Sequence, residues 1–289
     1  MPRKHVVRVL VVAALIGGLS PRAMAQGFSW WGYESVIEEI QDRGVLRVGL
    51  GLFAPWAACD ADGELIGFEI EVATRLAEDM GVEVEFARTN WNYIIPSLIA
   101  EEFDVIISGM TILPERNLKV NFTSSYNQTG ISLVANTDRT GGLETLEDFN
   151  SSSVTIATRR GASSIPAIEN VFPDAMILLY DTDTEVLDAV VSAEADAAAA
   201  FASTGNSWVE ANPDTLHLPF EEPFASEVLA IAARKGDHDA LNFFNSWIAI
   251  RKADGWLEQH RQYWFDTREW EDLLATDPIT IAECDASFQ

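Results

Sequence analysis

The side chain best suited to chemistry in this sequence is Arg116. A carboxylate leaving water needs compensating donors, and an arginine offers two parallel N–H bonds in one plane. Thr111, five residues earlier, adds a hydroxyl and a backbone N–H. Residues 103–107 read as a strand ending in Ser108, Gly109 and Met110. A strand end followed by a turn leaves the Met110 N–H directed into a cleft. A second anion-seeking element lies at residues 158–164, between a predicted strand and a predicted helix. There the N–H groups of Gly161, Ala162 and Ser163 open a helix start, and Gly161 permits close approach. Arg160 in the same loop is a further donor, suited to a second acidic group on a ligand. No Ser-His-Asp, Cys-His, metal-ligand or phosphate-loop pattern stands out, so neither catalysis, a metal nor a cofactor is expected.

Strands and helices must hold these groups in place. Residues 45–49 read as a short buried strand and residues 53–56 as a loop, because Pro55 cannot continue a ladder. Residues 65–68 form the next strand. Apolar residues then recur at helical spacing from Ile70 to Met80, and Gly81 ends the helix. Residues 82–86 alternate apolar and acidic side chains with period two, and a helix over 91–100, capped by Asn90, precedes the strand at 103–107. Strand, helix, strand with short connections predicts a mostly parallel sheet covered by helices, with ligands beyond the carboxyl ends of the strands. The loops after Val48 and Ile107 are therefore the place for chemistry. The alternation restarts with strands over 131–135, 154–157, 176–180 and 197–201 and helices over 143–149, 163–171 and 185–193. A strand over 228–233 and helices over 239–253 and 256–263 follow.

The stretch from Phe103 to Arg116, with residues 120–126, 63–73 and 91–97, resembles the signature of the family 3 solute-binding proteins of polar amino acid ABC importers. The similarity runs from about Gly44 to Phe265. It implies an α/β, two-lobed periplasmic binding protein fold of type II, each lobe a mixed, mostly parallel sheet flanked by helices. Two hinge crossovers are expected, near residues 127–131 and 224–228. Residues 26–128 and 226–289 would then form a discontinuous lobe 1, and residues 129–225 lobe 2. The implied function is capture of an amino acid or related small carboxylate between the lobes, with the closed state recognised by ABC permease subunits in the membrane. The alternatives are a ligand-sensing subunit for a receptor, and a periplasmic cyclohexadienyl (prephenate/arogenate) dehydratase of the same fold. Such an enzyme needs a general acid. Asp60, Glu69, Glu71 and Glu185 are available, although Glu69 and Glu71 suit a helix start.

The resemblance also implies that Phe53 and Trp91 sandwich the ligand side chain, and that the loop at 158–164 shares the ligand carboxylate with Arg116. Ala162 stands where many members carry a hydroxyl, so Ser163 or Ser164 is expected to substitute. Trp56, Trp208, Trp247, Trp256, Trp264 and Trp270 are assigned to core packing. At one position the chain departs from the pattern. Phe201 stands where an acid, five residues after the equivalent of Asp196, holds the ligand ammonium. Three repairs remain open: an aromatic box, acceptors from a loop at 203–206, or a ligand without a primary ammonium.

The compartment is read from the start of the chain. Arg3, Lys4 and Arg8 precede an apolar run, and Ala23, Met24 and Ala25 give the small-x-small pattern of a signal peptide cleaved after Ala25. A periplasmic protein is expected. Its formal net charge of −26 becomes more negative once four basic leader residues are removed, which argues against nucleic acid or an anionic membrane as partner. A monomer is expected. The two cysteines, Cys59 and Cys284, allow one pairing, and an oxidising compartment permits it.

Overall fold

Short apolar runs between capped helices build the chain. The computed structural model describes residues 35–267, 269–277, 280 and 284, so the leader read over residues 1–25 lies outside it. Ser35 accepts the Ile37 N–H at the start of α1 (Val36–Arg43), and Gly44, in the left-handed region, ends it. There follow β1 (Val45–Leu50), β2 (Ala58–Cys59), β3 (Leu65–Ile66), α2 (Phe68–Met80), β4 (Glu83–Arg88), α3 (Ile94–Ile99), β5 (Val105–Ile106), α4 (Pro114–Asn117) and β6 (Asn121–Phe122). The chain then crosses along β7 (Asn127–Asn136) to α5 (Thr137–Thr140), α6 (Leu146–Phe149), β8 (Thr155–Arg159), α7 (Ser164–Val171), β9 (Met176–Tyr180), α8 (Asp183–Val191), β10 (Ala197–Phe201), α9 (Ala202–Ala211) and β11 (Leu216–His217). It returns through β12 (Ala225–Leu229) to β13 (Ala232–Ala233), α10 (His238–Ala253) and α11 (Trp256–Arg261).

Two sheets result. The first has the order β4-β1-β5-β13-β6, with β1 parallel to β4 and β5; the second has the order β11-β7-β10-β8-β9, with β12 also paired to β7. This is the two-lobed α/β architecture with two crossovers. The crossing strands β7 and β12 pair antiparallel from Asn127↔Leu229 to Ile131↔Ala225. In the first lobe Leu46, Val48, Phe103, Ile106 and Leu76 pack with Phe244 of α10. In the second, strand alternation divides the core: Ile131, Leu133, Ala197 and Ala199 face one side, while Val134, Ala198 and Ala157 face α8 and Trp208 on the other. The alanine run of β10 thus serves both faces of a covered sheet.

Three local expectations are corrected. The helix expected over 91–100 begins at Ile94, because the first residues form a turn in which Asn90 accepts the Asn92 N–H; the turn leaves Trp91 to reach the other lobe. The strand expected over 228–233 is broken between Leu229 and Ala232, where the chain changes sheets and the Ala230 N–H bonds to Met110 O at 3.1 Å. The loop expected at 203–206 is the first part of α9. Gly205 lets that helix lie against β7, since a Cβ there would stand 3.0 Å from Val134 Cγ2.

Cys59 and Cys284 form a disulfide with Cα atoms 6.3 Å apart. The tail also lies along the Cys59 segment, with the Ala275 N–H bonded to Cys59 O at 2.9 Å. The loop that carries Phe53 and Trp56 is therefore tied to the end of the chain.

Candidate functional site

Three parts of the fold meet at Arg116. The side chain stands on the short helix α4, is 7% exposed, and donates from Nη1 to Thr111 O at 3.0 Å. Its Nη2 reaches across to the second lobe and donates to Gly161 O at 2.9 Å. Trp91 Nε1 donates to the same carbonyl at 3.2 Å. Gly161 has φ +74°, and a Cβ there would meet Asn92 Oδ1 at 2.8 Å, so only glycine allows this approach. Thr111 is fixed by a bridge to Leu229 of β12. Its Oγ1 lies 3.1 Å from Ser163 Oγ of the second lobe, and both hydroxyls donate to Glu227 Oε2, Ser163 at 2.7 Å.

Glu227 is a buried carboxylate on a crossing strand. Burial raises its pKa, against the opposing pull of the Thr111 and Ser163 hydroxyls and of Arg116. Burial likewise lowers Arg116 to about 10, with Glu227 opposing, so the guanidinium stays charged at neutral pH. A buried cation and a buried carboxylate thus lie near enough to influence each other's charge. That arrangement complements a zwitterion.

The other end of the cleft is aromatic. Phe53 and Trp91 meet edge to face, with ring centres 6.1 Å apart at 86°. Phe201 closes the group at 5.4 Å from Trp56 and 6.2 Å from Phe53. Arg159, the last residue of β8, places its guanidinium 5.1 Å from the Phe53 ring and 4.7 Å from the Trp91 ring. Its Nη1 donates to Asp183 Oδ2 at 2.8 Å, and Asp183 opens α8, where a carboxylate is favoured. Burial lowers the pKa of Arg159 and raises that of Asp183, each opposed by its partner's charge. A cavity of about 30 Å³ lies between Arg159, Ser163 and the aromatic rings, room for about two waters. An outer groove of about 900 Å³ shares Phe53, Trp91, Arg159 and Asp183 with it.

Beneath the floor lies a third group. Tyr126 Oη donates there to Glu69 Oε2 at 2.6 Å, and both side chains are buried. Burial pushes the Glu69 carboxyl up to about 8. Met110 is buried in the lobe core.

The structure therefore brings together Phe53, Trp91, Thr111, Arg116, Gly161, Ala162, Ser163 and Phe201. Two readings change. The turn at 161–163 presents the Gly161 carbonyl to Arg116, and the Ala162 N–H is held by Arg159 O at 3.1 Å, because α7 begins only at Ser164. Arg160 turns outward to Asp181 at 3.0 Å, both side chains about half exposed, because adjacent residues at a strand end face opposite sides. Arg159 takes the inward place. Sequence reasoning missed Arg159, Asp183 and Glu227. Asp60, Glu69 and Glu185 are engaged elsewhere, Asp60 in a turn, Glu69 with Tyr126 and Glu185 in a capping box. Among the described residues no group of three or more His, Cys, Asp or Glu side chains is placed to hold a metal.

Two lobes joined by paired crossing strands, with charged and hydroxyl groups of both converging on one cleft, define a solute-binding protein. The chain belongs to the bacterial extracellular solute-binding proteins, family 3, whose model matches residues 46–267. It is similar to the L-cystine-binding protein TcyJ of Escherichia coli (strain K12), 29% identical over 91% of this chain and 95% of that protein. It is similar also to the cyclohexadienyl dehydratase of Pseudomonas aeruginosa, 24% identical over 93% of this chain and 97% of that protein. Among solved structures, the putative binding component of an ABC transporter from Wolinella succinogenes, complexed with lysine, matches at 34% identity and a TM-score of 0.74. That match covers 80% of this chain and 99% of the other.

Proposed function

We propose that this chain is the periplasmic substrate-binding component of an ABC importer, and that it captures an α-amino acid in the cleft between its lobes. The observation that carries the reading is Arg116, buried on one lobe and bonded to a carbonyl of the other. The ligand carboxylate binds Arg116 with help from Thr111 and Ser163, and the ligand ammonium faces Glu227, which replaces the acid absent at Phe201. In this reading the described residues up to 128 and from 226 onward belong to one lobe, and residues 129–225 to the other. They move about β7 and β12. Because the inner cavity holds about 30 Å³, the lobes must part to admit a solute and repack on it. The closed form is what permease subunits recognise, and the exported monomer is released by cleavage after Ala25.

The test is a thermal-shift and calorimetric screen of the exported protein against amino acids of each charge type, dicarboxylates, betaines and ectoines. A ligand that binds only the native state raises the melting temperature. The expected result is stabilisation by an amino acid that Arg116→Ala abolishes. Equal stabilisation of both proteins would remove Arg116 from the site. Consumption of prephenate during incubation would replace binding by dehydration.

A further inference from the structure

The aromatic pair at the outer end of the cleft already holds a cation, and that cation belongs to the chain. Arg159 lies within cation-π distance of both Phe53 and Trp91, at 5.1 and 4.7 Å. A ligand carrying its own ammonium or guanidinium side chain would have to share these rings with a like charge buried beside it. The solved relative from Wolinella succinogenes, complexed with lysine, is similar in fold, but here the place beside both rings is taken by the guanidinium of Arg159. Like-charge repulsion at that place disfavours a cationic side chain and leaves an anionic one favoured.

Arg159 is also incompletely used. Asp183 takes Nη1, while Nε is buried without a hydrogen-bond partner among the described residues. An orphaned buried donor is costly, and a charged one more so. The unpaired Nε edge of a guanidinium is the edge that carries parallel N–H bonds, which fit a carboxylate. Arg159 lines the same cavity as Ser163, and Arg116 stands on the Trp91 ring at 5.9 Å. Two guanidinium groups therefore approach one tryptophan from the two ends of the site.

We propose that Arg159 is the specificity-determining residue of the cleft, and that the solute it selects is an acidic amino acid, whose side-chain carboxylate takes the Nε edge of Arg159 while its α-carboxylate takes Arg116. Asp183 orients the guanidinium. Phe53, Trp91 and Phe201 exclude water from it. The proposal rests on the amino-acid reading above and adds the class of side chain.

The experiment is calorimetric titration of the exported protein with L-glutamate, L-aspartate, L-glutamine, L-lysine and L-arginine, repeated on Arg159→Gln and Arg159→Ala. The acids should bind the wild type about tenfold or more tighter than glutamine, and lysine and arginine should bind more weakly still. Both variants should lose the preference for acids over glutamine, and Arg159→Ala should gain affinity for lysine. Tighter wild-type binding of lysine or arginine than of either acid overturns the proposal whether or not the variants fold. So does an unchanged ranking in folded variants. If glutamine or a cationic amino acid binds and the acids do not, the amino-acid reading stands and this inference alone falls. If none of the five binds, this inference falls, and the amino-acid reading is decided by the wider screen above.

Discussion

The two ends of the cleft are built on different plans. At the Arg116 end, the polar groups come from α4, the turn before α7 and the crossing strand β12, so the contacts run between lobes. At the aromatic end, the charged pair Arg159 and Asp183 comes from one lobe, with rings of the other laid over it. On the reading proposed above, the first arrangement recognises what every α-amino acid shares and is completed only on closure. The second, on the same reading, distinguishes one side chain from another, and its ion pair lies within one lobe. A chain can therefore change its ligand by altering the second end without disturbing the closing contacts at the first.

Removing Arg116 should have the largest effect. Arg116→Ala takes away the donor to both Thr111 O and Gly161 O and leaves Glu227 buried without its nearest cation. Truncating one partner of a buried charged group costs ~2–5 kcal/mol, so affinity for any amino acid should fall by tens- to thousands-fold in a calorimetric titration. A loss confined to one side-chain class would contradict the division between the ends. Glu227→Gln should come next. The amide still accepts from a hydroxyl but cannot balance an ammonium, and the expected loss is ~1.5–3 kcal/mol for α-amino acids. A dicarboxylate without an amino group should bind the variant no worse than the wild type. Equal losses for both would assign Glu227 to closure alone.

How much of this was legible depends on distance along the chain. Arg116 and Thr111 lie five residues apart after a strand end, so chain connectivity keeps them near each other. The 158–164 loop was legible as an anion-seeking turn between a strand and a helix, whereas Phe53 and Trp91 were reached through resemblance, since no local rule joins them to it. Glu227 carried a signal that was not used. In β12 it shares the strand phase of Leu229, both buried, while the neighbours Ser226 and Val228 are exposed. An acid on the buried phase of a strand needs partners, but the sequence does not say that they are Thr111 and Ser163, both more than sixty residues away. Arg159 likewise shares the phase of Ala157, which faces α8, and that alternation separates it from Arg160. The fold was more legible than the site, because strand and helix periodicities are local. Two of its three misjudged segments, 203–206 and 228–233, are those where a neighbouring sheet decides the backbone; in the third, 91–100, a turn at Asn90 delays the helix to Ile94.

A smaller effect is expected beneath the floor common to both ends. Glu69 keeps its proton in the fold up to about pH 8, whereas the unfolded chain releases it near 4.5. Between those values the unfolded state alone ionises, so this group's contribution is fully present below pH 4.5 and is lost as pH rises towards 8. Glu69→Gln keeps an acceptor for Tyr126 and has no proton to lose. Its melting temperature should decline less than that of the wild type across this window, with the difference greatest near pH 8. Identical slopes would mean that the carboxyl ionises within the fold.

The smallest effect separates two adjacent arginines. Arg160 and Asp181 form an ion pair at 3.0 Å with side chains 48% and 58% exposed. Pairs of this kind contribute ~0–1 kcal/mol, and salt screens them further. Arg160→Ala should therefore shift the melting temperature little and leave the ranking of amino acids as in the wild type. Arg159, 12% exposed in its side chain, has no such freedom. If Arg160→Ala altered the ligand ranking while Arg159→Gln did not, the strand end would be turned the other way in solution. The aromatic end would then lack the charge that distinguishes it from the Arg116 end.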